Sequence, residues 1–160
     1  MLVRKITKSK WFQNDILNGA EVSADAITNC LKTTKNTLSV WRVDNEETIE
    51  EAVLAIVANQ QYLETIDVVL LDEEYFLKYQ IKIENTEGNT IVEDLKNTHV
   101  DLIELDYNSL GKVAKHIIES INNDKSKRFT LAKLREIIQR AIENKRLKLS
   151  DLHEGIQKKL

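Results

Sequence analysis

The sequence predicts an α/β or α+β fold: a small mixed sheet covered by helices, followed by a C-terminal helical hairpin. Three observations carry this. Two short runs rich in β-branched and aromatic residues, 38–43 and 66–71, read as strands. Stretches with apolar residues at helical spacing follow them, most clearly 46–63 and 109–121. Two more amphipathic stretches close the chain, one over 130–144 and one starting near Ser150. Of the 160 residues, 42% are hydrophobic and 31% charged, which supports a buried core and excludes a disordered or low-complexity chain.

Residues 1–22 show no clear period; Val3, Ile6, Trp11, Phe12, Ile16 and Leu17 are apolar, and Asn18-Gly19 is a turn signal. Ser23 is placed to cap a short helix with Ala26, Ile27, Cys30 and Leu31 along one face. Alternation over 38–43 puts Leu38, Val40 and Arg42 on one side of a strand and Ser39, Trp41 and Val43 on the other. The next segment opens on five acids between 44 and 51, where a helix dipole favours negative charge. Residues 66–71 read as a buried, central strand. Residues 81–83 are a short strand candidate, 85–90 a turn, and 100–105 fits either a strand or the lead into the next helix. Leu110, Val113, Ala114, Ile117, Ile118 and Ile121 form the stripe of the 109–121 helix. Gly111 within it points to a close packing contact, since glycine there costs about 1 kcal/mol relative to alanine.

Residues 122–127 hold no apolar side chain. The expected division is a main domain over 1–121, a linker over 122–128 and a basic helical hairpin over 129–160. The hairpin is too small to bury its own stripes, so it must pack on the main domain, on a second copy or on another protein.

The net charge of −3 hides a segregated layout. Residues 44–121 carry eighteen acids against five bases, whereas 122–160 carry eleven bases against five acids. Basic ends folding back on the acidic middle would explain this, as would a charged partner. The longest unbroken apolar run, Val68-Val69-Leu70-Leu71, is far below a membrane span, and no targeting segment is recognisable. A single cysteine, Cys30, fits a reducing compartment and reads as a buried thiol rather than a nucleophile. Seventeen Lys against six Arg suggest an AT-rich bacterial genome. The expected setting is the bacterial cytoplasm, with no membrane.

No catalytic or cofactor motif is specific, and no cofactor is expected. The densest group able to do chemistry is His99, Asp101 and Glu104. On a strand, His99 and Asp101 share a face and could form an acid–base pair or part of a metal site. Further metal ligands would come from Asp67, Asp72 or Glu73. Asp94-Leu95-Lys96 matches half of a metal-dependent nuclease core. Asp72-Glu73-Glu74 is better read as a helix cap. Partner-binding candidates are Trp11, Arg42, Leu134, Ile138, Arg140, Lys145 and Arg146, because Trp and Arg dominate hot spots and the C-terminal stripe needs a cover. Trp41 is assigned to the core, Trp11 to a surface or interface, and His116 to the surface or its boundary.

The reading these features favour is a non-enzymatic protein-binding subunit. It would be immunity- or antitoxin-like, or an accessory protein, acting through an acidic surface and a helical tail. Its partner would be another protein or a second copy of itself. A metal-assisted hydrolase or nuclease using His99, Asp101 and nearby acids is the enzymatic alternative. A regulator binding DNA through the basic C-terminal helices is the third; a pI of 5.7 weighs against it.

Overall fold

A computed structural model describes residues 1–11 and 23–160. Phe12, Ile16, Leu17 and the Asn18-Gly19 turn lie outside the described residues. In chain order the elements are β1 (Leu2–Ile6), α1 (Lys8–Trp11), α2 (Ala24–Cys30), β2 (Leu38–Arg42), α3 (Ile49–Ala58), β3 (Ile66–Leu71), α4 (Glu73–Lys78) and β4 (Lys82–Asn85). Then follow β5 (His99–Ile103), α5 (Tyr107–Asn122), β6 (Ser126–Phe129), α6 (Leu131–Glu143) and α7 (Glu154–Gln157).

The strands form one six-stranded sheet in the order β4-β5-β2-β1-β3-β6. Every described pair is antiparallel, so the fold is α+β and the sheet is not mixed. β1 lies inside the sheet although the sequence showed no strand there. Arg4 and Lys5 interrupt its apolar pattern, yet Leu2 and Val3 are wholly buried on opposite faces.

Each face of the sheet has its own core. One face packs Val3, Trp41, Val68 and Leu70 against α3 and α6. The other packs Leu2, Val40, Val69 and Leu71 against α2, α4 and α5. Helix starts follow their capping residues. Ser23 Oγ accepts from the Ala26 N–H at 3.1 Å, Asp72 Oδ1 from the Glu74 N–H at 3.0 Å and Asp106 Oδ1 from the Ser109 N–H at 2.7 Å. The cap role of Asp72 is the one its sequence position suggested. Trp11 is not at a surface: it is fully buried with Ala26, Cys30 and Leu31.

The expected linker is also different. Its second half is strand β6, which pairs with β3 from Ile66↔Phe129 to Val69↔Ser126. Beyond it α6 lies on α3, and Leu134, Ile137 and Ile138 are buried in the core of that face. Polar Ser126, Lys127 and Arg128 mask this strand in the sequence, because an edge strand needs little apolar surface.

The charge segregation closes on itself. Lys127 pairs with Glu46 at 3.4 Å, Arg128 with Asp67 at 3.6 Å and Lys133 with Glu50 at 3.0 Å. Arg140 also pairs with Glu50, and Arg146 reaches Glu51 at 2.6 Å and Asp94 at 2.7 Å. Burial works against the Glu50 carboxylate, but hydrogen bonds from Arg140 and Lys133 outweigh it and lower its pKa.

Among the described residues, no helix is long and apolar enough to cross a membrane.

Candidate functional site

β1 and β2 pair only at Leu2↔Arg42 and Val3↔Trp41, then part. The Arg4 guanidinium fills the gap. It donates to the Ser39 carbonyl at 2.6 Å and to the Cys30 carbonyl at 2.8 Å, replacing the ladder hydrogen bonds that splaying removes. On the α3 face this parting leaves a cleft of about 260 Å³. Its lining includes Val3, Lys5, Trp41, Ala55, Asn89 and His99.

Strand register assembles the polar floor. Trp41 lies opposite His99, and Ser39 opposite Asp101. Directly opposed residues share a face, so His99, Asp101, Ser39 and Trp41 converge there. The Asp101 carboxylate accepts two hydroxyls, from Ser39 at 2.9 Å and from Thr86 at 3.0 Å. Thr86 Oγ1 also lies 2.8 Å from His99 Nδ1. An ionised carboxylate has no proton to give, so the single Thr86 proton goes to Asp101 and Nδ1–H of His99 donates to Thr86. The neutral ring then carries its lone pair on Nε2. Nε2 has no partner among the described residues and is not one of the sealed polar atoms. Burial lowers the His99 pKa, opposed by Asp101 and Thr86, and keeps the ring neutral at pH 7.

The loop after β4 covers this group. Gly88 packs on the Trp41 indole, and a Cβ built there would stand 2.8 Å from His99 Cβ. The Gly88 N–H donates to the Lys96 carbonyl at 2.9 Å, which fixes the loop across the ring pair. Trp41 and His99 meet edge to face with centroids 5.0 Å apart.

Of the sequence candidates, His99 and Asp101 are brought together on one face. Glu104 leaves them: it lies beyond the end of β5 and pairs with Lys82 on an exposed edge. Asp67 points to the opposite face with Val69 and Leu71 and pairs with Arg128. Its strand is three places from β5, about 14 Å at ~4.8 Å per strand. Asp72 caps α4, and Glu73 holds Arg42 at 2.7 Å. The metal set Asp67, Asp72, His99, Asp101 is therefore not assembled, and the described residues hold no group of three metal-ligating side chains. Asp94 pairs with Arg146 and Lys96 with Glu93 at 2.7 Å, so the acid-x-Lys motif is split between two ion pairs.

The partner-binding candidates separate in the same way. Trp11, Leu134 and Ile138 are core residues with no surface to offer. Arg42 is held by Glu73 and Asn85, and Arg140 and Arg146 by the acids of α3. Lys145 remains exposed, in a left-handed conformation (φ 58°) just past the end of α6. The basic helices thus present mixed charge, which is a poor phosphate surface.

Ser39, Thr86 and Asn89 complete the site and were not singled out in the sequence. Ser39 is legible only with the β2–β5 register in hand. Thr86 and Asn89 belong to a turn that gives no sign of folding back over the sheet.

His116, expected near the surface, is buried on the opposite face and stacked on Tyr75 at 3.9 Å between ring centroids. Its Nε2 accepts the Asp72 N–H at 2.9 Å, so this ring is also the Nδ1–H tautomer. Burial lowers its pKa, against Glu119 and Asp72. Tyr75 is pushed up to about 12 by burial, with Glu119 and Tyr79 adding to it.

Set against family models, curated proteins and solved structures, the chain matches none.

Proposed function

We propose that the protein is a non-catalytic binding subunit that docks another protein at the cleft beside α3. The single observation behind this reading is the state of the polar floor. Asp101 accepts one hydroxyl on each oxygen, His99 is locked in one tautomer, and its Nε2 acceptor is left without a partner among the described residues. That arrangement suits recognition: orientation is fixed, the Asp101 carboxylate is held by hydrogen bonds, and Val3, Trp41 and Ala55 supply apolar wall beside Arg4 and Lys5. A bacterial cytoplasmic accessory or neutralising role of the immunity or antitoxin kind remains the class proposed. The docking point moves from the C-terminal helices, whose stripes and cations are engaged internally, to this cleft.

The test is site-specific photocross-linking in the native host. A cross-linker at Asn89 should capture one defined protein, while one at Lys145 should not. Capture from Lys145 alone, or from neither position, would overturn the proposal.

An acid–base catalyst is the second reading, favoured by the unpartnered Nε2 of a neutral, oriented imidazole. It lacks a nucleophile, since the Ser39 proton already bonds Asp101. Turnover of any substrate that disappears in His99→Gln and survives chelation of metals would favour it over binding.

A further inference from the structure

We infer that the chain pairs with a second copy of itself along β4, joining two six-stranded sheets edge to edge into one continuous antiparallel sheet. This surface is separate from the cleft, so the inference goes beyond the docking reading and does not depend on it. β4 is an end strand, with β5 on one side and no described strand on the other. The Thr86 N–H donates to the His99 carbonyl at 3.3 Å, which sets the phase of the β4–β5 ladder. Hydrogen-bonded and non-hydrogen-bonded pairs alternate along such a ladder, so Lys82 and Glu84 bond toward β5. Ile83 and Asn85 therefore turn their N–H and C=O groups to the open side. Ile81 also turns outward, but its N–H is taken by the Phe76 carbonyl at 2.9 Å, which leaves its C=O.

Charge selects a second copy and fixes the register. Lys82–Asn85 overlaps itself most when the two-fold axis passes through Ile83 or through Glu84. An axis through Glu84 sets two carboxylates directly opposite each other, which is destabilising. An axis through Ile83 sets Lys82 opposite the partner's Glu84, and Glu84 opposite the partner's Lys82. These fall at the non-hydrogen-bonded pairs, where side chains approach most closely. In the same register the two Ile83 residues exchange both their backbone bonds, and each Asn85 N–H meets the partner's Ile81 carbonyl. Every outward donor of β4 is then used. Glu84 also lacks a cation within its own chain: it lies directly opposite Asp101 and holds no ion pair among the described residues. Lys82 meets Glu104 at 2.5 Å, but both side chains are largely exposed, and an ammonium has protons enough for a second carboxylate. The other end strand, β6, is not self-complementary. Its two registers of greatest overlap set Lys127 or Arg128 against the same cation of its copy. A two-fold normal to the sheet keeps like faces together, so both clefts open on one side of the pair.

One short strand from each copy makes a small interface, so the pair should be reversible, with a Kd on the order of 10 µM. Sedimentation velocity of the full-length protein should show a concentration-dependent species of twice the 18.5 kDa chain mass. Carbodiimide treatment of mixed light and ¹⁵N-labelled protein should join Lys82 of one isotope to Glu84 of the other. Lys82→Glu gathers carboxylates around the axis and should raise the Kd about tenfold or more. Lys82→Glu combined with Glu84→Lys exchanges the two charges and should restore the dimer, which separates lost pairing from lost folding. A chain that stays monomeric up to about 1 mM overturns the inference and leaves this edge to a strand of another protein. A dimer indifferent to Lys82→Glu overturns it too, as does open-ended growth in which β4 meets β6 of the next copy.

Discussion

His99 and His116 occupy opposite faces of one sheet, each 8% exposed and each fixed as the Nδ1–H tautomer. They differ in what Nε2 meets. At His116 it accepts the Asp72 N–H, two aromatic rings enclose the imidazole, and Nδ1 is sealed within the packing. At His99 it faces a cleft, because β1 and β2 part after two residue pairs. Burial alone does not decide whether a histidine is structural or available. The backbone around it does, by claiming or leaving the second ring nitrogen.

The largest way to break this comparison is to remove the cover of the His99 face. A chain ending at Asn123 loses β6 and α6 and strips Phe129, Leu134, Ile137, Ile138, Leu147, Leu152 and Ile156 from the core. At roughly 1.5–3 kcal/mol per large buried side chain, the loss matches a whole domain's net stability of about 5–15 kcal/mol. The truncated chain should show no cooperative transition in urea. A folded monomer would mean that this face does not need α6.

Single substitutions at the two rings should differ next. His116→Ala orphans the Asp72 N–H and removes the Tyr75 stack, and should cost about 2–4 kcal/mol in chemical denaturation. His99→Ala removes the Trp41 edge contact and the Thr86 bond but orphans no backbone group, and should cost less, about 1–2 kcal/mol. Equal losses would erase the distinction between the two sites.

Acid should act through the same pair. Both histidines have pKa values below the ordinary 6.5, with burial as the main cause. The unfolded chain therefore binds more protons than the native one as pH falls through 6.5. Stability is fully present above that value and declines as pH drops toward the folded pKa values. Protonating His116 Nε2 also breaks its bond from Asp72, while Glu119 on the same helix, Tyr75 on α4 and Lys125 beyond α5 face the ring. Glu50 and Asp106 are shifted below their ordinary values, Glu50 by bonds from Arg140 and Lys133 against burial, Asp106 by bonds from Ser109. Denaturation at pH 7.5 and 5.0, compared between the wild type and the two histidine variants, reads the histidine contribution as a difference. His116→Phe should flatten the acid decline more than His99→Phe; the reverse order would place the larger proton uptake at the cleft.

How far the sequence revealed this can be read from particular residues. The helices over 109–121 and 130–144 were legible because their stripes follow the helical period without interruption, and the buried strand 66–71 because it is nearly continuous in apolar residues, though it lies second from the sheet edge rather than at its centre. The common face of His99 and Asp101 was legible only on the strand alternative for 100–105, where two-residue spacing puts both on one side. β1 and β6 were hidden by charged residues that the fold places in ion pairs or uses to bridge a parted ladder. The remaining site groups were hidden because Ser39, Thr86 and Asp101 are distant in sequence and meet only through β2–β5 register and the fold-back of the loop. His116 was misplaced because its partner, the backbone N–H of Asp72, leaves no sequence signature.

Two glycines sharpen the contrast between faces at the smallest scale. A Cβ on Gly88 would collide with the Trp41 ring, and the His99 side leaves no room for a shift. Gly88→Ala should cost about 1–3 kcal/mol, as overpacking does, and should push the loop from the Trp41–His99 ring pair, read as a change in Trp41 fluorescence. Gly111 is the opposite case. It was expected to mark a close contact, but nothing lies within 4 Å of a Cβ there, and the residue is exposed on α5. Gly111→Ala reduces the backbone freedom lost on folding without touching a neighbour, and should raise stability by about 0.5–1 kcal/mol. The gain should appear equally at pH 7.5 and 5.0, because no titrating group is near enough to share it. A loss instead of a gain would show that a covering partner or a second copy presses on this stretch of α5, and the closed face would then have a docking surface of its own.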